Sequence, residues 1–227
     1  MKTSKVFQVS KKKIRPDAVF RNLIIVTARD LFLRGGFVRV TMDEIAGTLG
    51  ISKATLYKQF SSKEDVLAAA METVKKDILA GFEGIIADDK MDFLEKLARL
   101  MAFMGNWLSR IGQFLAKDLR RSAPGVWKDI ELFRREKILK NFSVLFEGGV
   151  REGVFKADID RGLVLQIYLV LIQNFLNPET LLGSSSSAPE IFETLFKVFF
   201  EGILTDGARM ALADRKASFY MKNKEVV

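Results

Sequence analysis

Apolar side chains recur along this chain every three to four positions, the spacing that aligns one face of an α-helix. Alternation at period two, the mark of a half-buried strand, is nowhere sustained between turn residues. The predicted fold class is therefore all-α. The first helix opens at Pro16-Asp17, where proline forfeits no hydrogen bond and a carboxylate meets the positive helix end, and it runs to about Arg34. Its expected apolar face is Val19, Phe20, Leu23, Ile24, Val26, Thr27, Leu31 and Phe32, and Gly35-Gly36 terminates it.

Three N-cap signals follow: Thr41 with Glu44, Ser52 before Lys53-Ala54-Thr55, and Ser61 with Glu64. They predict two short helices and the start of a longer one. The first short helix spans about 42–49 and stops at Gly50, which can turn left-handed without a Cβ penalty. Longer helices are predicted near 62–85, 91–109, 112–121, 126–152, 160–176 and 189–205. Asp88-Asp89, Gly112, Pro124-Gly125, Gly153 and the stretch from Asn177-Pro178 to Ser187 separate them.

Charge divides the chain where the pattern does not. Residues 1–63 carry 13 basic and 4 acidic side chains, a balance of +9, whereas the other 164 residues hold 23 and 24, a balance of −1. Such segregation points to a polyanion-binding module joined to a neutral one. The Lys11 to Arg15 run reads either as a solvated tail or as an arm reaching DNA.

The chain has no cysteine and no histidine. Disulfides, thiolate nucleophiles, Cys-ligated metals and the commonest general base are thereby removed, so an enzyme, a metal site or a cofactor is not expected. No secretory signal or membrane-spanning run is apparent, and a cytoplasmic location is expected.

Within the basic quarter, TMDEIAGTLGISKATLYKQFSSKE has the parts of a helix-turn-helix: small Ala46 at the crossing, Gly50 in the turn, and Ile45, Ile51 and Leu56 as anchors. The second helix must expose short polar and basic side chains at its N-terminal end to enter a major groove, and Ser52, Lys53, Thr55 and Lys58 meet that need.

Over about residues 16–67 the chain resembles the TetR family of bacterial transcriptional regulators. The resemblance rests on TARDLFLRGGF followed by Thr41, Ile45-Ala46, Gly50, Ser52-Lys53, Thr55-Leu56-Tyr57, Phe60 and Lys63 in order and spacing. It implies that Thr41 and Lys63 hold phosphates, that Ser52, Lys53, Ala54 and Thr55 approach bases or phosphates, and that Tyr57 and Lys58 grip the backbone. It further implies an arm and DNA-binding domain in 1–63, a ligand-binding and dimerisation domain in 64–227, and a regulator, most often a repressor, that binds palindromic DNA as a homodimer. A DNA-binding division or nucleoid-associated protein of the same fold, without an inducer, is the competing reading.

The second region is rich in aromatics and methionine, which at helical spacing ordinarily fill a core. The resemblance implies that some of them enclose an effector cavity instead, suited to an apolar or aromatic ligand. Leu97, Met101, Met104 and Leu108 form one stripe with Trp107 alongside; Arg134, Ile138, Asn141, Phe142 and Tyr168 are further lining candidates. Gln173 and Asn174 interrupt an apolar helix and need partners from a ligand or a dimer mate. Phe192, Leu195, Phe196, Phe199 and Ile203 occupy more than one stripe of the helix near 189–205, so it needs partners on two sides, as a dimer interface would provide.

Overall fold

The computed structural model describes residues 16–110, 115–175 and 184–212; the Lys11 to Arg15 arm lies outside them. The helices are α1 (Pro16–Gly35), α2 (Met42–Thr48), α3 (Lys53–Tyr57), α4 (Lys63–Ile86), α5 (Phe93–Ser109), α6 (Leu115–Ser122), α7 (Pro124–Phe133), α8 (Leu139–Arg151), α9 (Arg161–Phe175) and α10 (Ala188–Ile203). A π-helical turn, Arg134–Ile138, joins α7 to α8, and a short helical segment follows at 206–212. Among the described residues the β pairing is confined to an isolated bridge between Phe155 and Leu204. The fold is all-α, an N-terminal helix-turn-helix domain followed by a larger helical region.

Local chemistry explains where the first helices start and stop. Thr41 Oγ1 accepts the Glu44 N–H at 3.1 Å and Ser52 Oγ accepts that of Thr55 at 3.1 Å, each satisfying a donor that the helix leaves orphaned. The α4 cap falls one residue later than the expected Ser61–Glu64 box: Ser62 accepts the Asp65 N–H at 3.0 Å. At the end of α2, Gly50 adopts φ +65°. Its N–H reaches the Gly47 carbonyl at 3.1 Å while that of Ile51 reaches Ala46 at 3.0 Å, a Schellman closure that turns Ile51 toward the core.

Two expectations change. On α1 the buried residues are Ile24, Ala28, Phe32 and Leu33, whereas Val19 and Leu23 are 56% and 52% exposed. Residues 24, 28 and 32 form one row of α1, the helix that packs across α4, with Leu33 widening it at the C-terminal end; Leu23, rotated by about 100° from Ile24, faces water. The predicted helix at 126–152 begins at Pro124 and is interrupted by the π-helical turn. That turn inserts an extra residue into the ladder, which a 3.6-residue pattern cannot foretell.

The buried core does not end with the helix-turn-helix. Ile24, Phe32, Ile45 and Leu56 share a cluster with Val66, Leu67 and Met71 of α4 and with Trp107, Leu115 and Leu119 of α5 and α6. A second cluster centres on Phe155, edge-on to Phe93 at 5.2 Å and 5.8 Å from both Phe146 and Phe200. A smaller one joins Leu108, Ile172 and Phe192.

Candidate functional site

Helices α2 and α3 are held at their crossing by Ile45, Ala46 and Leu56, none more than 3% exposed. Their outer surface is left to polar groups. Thr41, Ser52, Lys53, Ala54, Tyr57 and Lys58 are exposed, and Thr55 is half-buried. The Ser52 and Thr55 hydroxyls lie 2.8 Å apart and satisfy each other in this state. Lys53 Nζ sits 2.8 Å from Asp43 Oδ1, an ion pair that ties α3 to α2; the hydrogen bond and charge of Asp43 hold the ammonium above its ordinary range.

Lys63 is half-buried at the first turn of α4. Its ammonium donates to the carbonyls of Phe37 at 3.0 Å and Val40 at 3.1 Å and lies 4.3 Å from the Phe37 ring centroid. Two of its three donors therefore fasten the α1–α2 connection onto α4. The same connection is gripped from another side, where the Val38 N–H donates to Asp118 of α6 at 3.0 Å. Arg21 completes the scaffold: its guanidinium lies 3.9 Å over the Phe60 ring and donates to the Gln59 carbonyl at 3.1 Å. The Gln59 side chain in turn donates to Asp17 at 2.7 Å, which binds the end of α3 to α1.

A cavity of about 230 Å³ has walls from α4, α5, α6, α7, the π-helical turn, α8, α9 and α10, with Leu33 of α1 also lining it. Met104, Trp107, Leu108, Arg134, Asn141, Phe142 and Tyr168 line it. Tyr168 stacks on Phe142 at 4.1 Å, and burial pushes its hydroxyl up to about 12, so it stays a neutral donor.

The other cavity candidates are placed elsewhere. Leu97 is buried in the Phe155 cluster and Met101 packs beside Leu108 and Ile172, so only the C-terminal half of the α5 stripe reaches the cavity. Gln173 and Asn174 are exposed on α9, with the Asn174 amide donating to the Val170 carbonyl at 2.8 Å. The Ile138 side chain lies outside the described residues. Sequence reasoning missed Lys75, Ile78 and Phe82 of α4 and Leu115 and Leu119 of α6 as lining residues. The signal was present in the spacing: 71, 74, 75, 78 and 82 form a single helical stripe, with Lys75 set among apolar neighbours.

The five candidates for a dimer face divide as well. Phe192 and Phe196 line the cavity and Ile203 is buried in the Phe155 cluster, while Leu195 and Phe199 are half-buried. Exposed apolar side chains form a stripe on α9, where Leu163, Ile167 and Val170 are 56%, 45% and 54% exposed, and stand singly at Val198 of α10, Leu132 of α7, Val144 of α8 and Met210.

A model of the bacterial regulatory proteins of the tetR family matches residues 24–70, from the buried face of α1 into α4. Residues 24–70 thus form a TetR-family DNA-binding region. It is 24% identical over 166 residues to the uncharacterized HTH-type transcriptional regulator YvaF of Bacillus subtilis, covering 73% of this chain and 86% of that one. Its fold is similar to a TetR-family transcriptional regulator from Marinobacter aquaeolei, with TM-score 0.67, 19% identity and coverage of 88% and 98% of the two chains. It is also similar in fold to the ketosteroid transcriptional regulator KstR2 of Mycobacterium tuberculosis, with TM-score 0.51, 22% identity and coverage of 82% and 96%. That DNA-binding region and the likeness over most of the chain to an HTH-type regulator make the protein a DNA-binding transcriptional regulator. None of the helices in the described residues is long and apolar enough to cross a membrane.

Proposed function

We propose that this regulator is a repressor that binds palindromic operator DNA as a homodimer and releases it when a small effector with an apolar or aromatic body enters the cavity. The observation that carries this reading is the double role of α6. Leu115, Ala116 and Leu119 form part of the cavity wall, and Asp118 on the same helix holds the Val38 amide of the helix-turn-helix. An occupant that displaces α6 therefore acts directly on the connection from which α2 starts.

The energetic requirement is modest. A ligand lowers operator affinity only by its preference for the arrangement that fits DNA poorly, and couplings of about 1–3 kcal/mol are typical. Thr41, Ser52, Lys53, Ala54, Thr55, Tyr57, Lys58 and Lys63 form the DNA-contacting set in this reading. Phosphate contacts from the lysines supply salt-dependent affinity, and the α3 side chains supply base preference. The exposed stripe Leu163, Ile167 and Val170, joined by Val198, forms the dimer face, and a two-fold axis there presents two α3 helices to successive half-sites.

The test is footprinting of the purified protein across its own genome, followed by transcription of the genes flanking the strongest site in a deletion strain. Paired half-site protection and a rise in transcription are expected. Protection without sequence preference would instead favour a nucleoid-associated role, and a fall in transcription would make the protein an activator.

A further inference from the structure

The cavity wall is mostly apolar, and its polar side chains divide by whether they already have partners. The charged ones do. Lys75 of α4 pairs with Glu72 across one turn. Arg134 of the π-helical turn is partnered as well, and the charge of Glu131 favours its cationic form. Neither cation waits for a ligand's charge.

Two uncharged side chains stand differently. Asn141 of α8 and Tyr168 of α9 line the cavity, and among the described residues neither side chain makes a hydrogen bond. No polar side-chain atom among the described residues is both sealed off and unpartnered, so these two groups open onto the space that they line.

Their positions are set by aromatic packing. The Tyr168 ring stacks on Phe142 at 4.1 Å and tilts against Phe199 at 5.2 Å, and Asn141 directly precedes Phe142 on α8. Burial pushes the Tyr168 hydroxyl up to about 12, so at neutral pH it is a protonated donor. The Asn141 amide brings two further N–H donors and one carbonyl. A ligand oxygen has two lone pairs and can accept from both residues.

A buried polar group left without a partner costs about 1–3 kcal/mol. A wholly apolar occupant leaves two such groups unsatisfied, whereas one that carries an acceptor oxygen satisfies them. An ionic head is opposed by a larger effect. Taking an ion out of water costs several kcal/mol, and the two cations that could offset this for an anion are already engaged. A ligand ammonium would meet two charges of its own sign.

We infer that the cavity selects an uncharged amphipathic effector, with a carbonyl or hydroxyl oxygen accepting hydrogen bonds from Tyr168 and Asn141 and an apolar body among Ile172, Phe192 and Phe196. The cavity, about 230 Å³, is smaller than the roughly 300–1,000 Å³ of drug-sized pockets, which limits the body to one aromatic ring or a medium alkyl chain. This inference rests on the cavity being the effector site proposed above, but it concerns what binds and not what binding does.

The molecule carries its own reporter. It has two tryptophans, Trp107 and Trp127, and both line the cavity, so intrinsic fluorescence reads occupancy directly. The full chain is titrated with 4-phenyl-2-butanone, 4-phenyl-2-butanol, butylbenzene, 3-phenylpropanoate and 4-phenylbutan-2-amine, which share a phenylethyl body and differ at the other end. The ketone and the alcohol are expected to bind about ten times or more tightly than the anion and the amine. The ketone only accepts and the alcohol also donates, so the tighter of the two distinguishes a carbonyl head from a hydroxyl head.

Butylbenzene leaves water more readily than the ketone, so the hydrogen bonds are read from variants and not from that pair alone. Tyr168→Phe, which removes only the hydroxyl, and Asn141→Leu are each expected to weaken the ketone by about threefold or more and to leave butylbenzene unchanged or tighter. Asn141→Ala takes the place of Asn141→Leu if the latter does not fold. Equal or tighter binding of the anion or the amine overturns the inference. So does the absence of saturable ketone or alcohol binding up to millimolar concentration, a ketone affinity that either substitution leaves unchanged, or a loss that butylbenzene shares equally. Operator affinity is measured in parallel with the same probes. Ketone binding that depends on both residues but releases no DNA overturns the effector reading alone, and DNA release by probes of every charge overturns the selectivity alone.

Discussion

The Asp118 carboxylate accepts the backbone N–H of Val38 at 3.0 Å, joining two residues 80 positions apart in sequence. Asp118 stands in the first turn of α6, between Leu115 and Leu119, which line the cavity, and Val38 stands in the connection that launches α2. One hydrogen bond thus spans from the cavity wall to the connection that leads into the helix-turn-helix, the path along which the proposed effector would act. Asp118→Ala is expected to leave effector binding by tryptophan fluorescence unchanged and to blunt the effector-induced loss of operator affinity by threefold or more. Retention of the full response would move the coupling to α4.

Lys63 holds the other side of that connection through two carbonyls, so its replacement is expected to act on stability as well as on its proposed phosphate contact. Hydrogen bonds from a charged donor contribute about 1.5–3 kcal/mol. Lys63→Ala is expected to lower unfolding free energy by about 1–3 kcal/mol in urea titrations. It is also expected to weaken operator and unrelated DNA to a similar extent. A change in base preference with unaltered stability would contradict both roles.

In the proposed DNA contact, phosphate competes for Lys53 with Asp43, which lies 2.8 Å from its ammonium. Asp43→Asn is therefore expected to tighten DNA binding, because it removes both a competing anion and a charge that repels phosphate. Lys53→Ala is expected to reduce the slope of log affinity against log salt by about one. Filter binding at several salt concentrations checks both variants; identical slopes for Lys53→Ala and the parent would remove Lys53 from the phosphate contacts.

Gly149 of α8 is buried against Phe155, and a Cβ there would meet the Phe155 Cδ2 at 2.2 Å. Phe155 is itself fixed by Phe93, Phe146 and Phe200, so the ring has little freedom to withdraw. Gly149→Ala is expected to destabilise the fold by about 1–3 kcal/mol through overpacking, read as a lower denaturation midpoint. Gly84→Ala is the control, since nothing lies within 4 Å of its Cβ position on exposed α4.

Ile167 is 45% exposed between Leu163 and Val170 on one stripe of α9. If that stripe is the dimer face, Ile167→Glu places two like charges near the two-fold axis without touching the core. A shift from dimer to monomer in sedimentation, with loss of operator affinity and unchanged helicity, is expected. A parent protein that sediments as a monomer at micromolar concentration would refute the dimer itself.

Much of the reading head was legible from sequence because its determinants are local. Thr41, Ser52 and Gly50 act within one helical turn through caps and a left-handed closure, and the chain encodes such interactions in adjacent residues. The cap of α4 slipped by one because Ser61 and Ser62 offer the same chemistry, and only the path of the chain chooses between them.

What sequence alone determined, then, is an all-helical regulator with a basic N-terminal helix-turn-helix and the apolar material for a second region. Tertiary structure decided which side chains meet. Periodicity names a helical face but not its neighbour, so Phe192 and Phe196 turned out to line the cavity and Val198 to face water on the same helix. Lys75 and Arg134 are 59 residues apart and carry no mark of a shared site. They line one cavity because α4 packs against α7 and the π-helical turn continues from it, an arrangement set by long-range packing and not by local sequence.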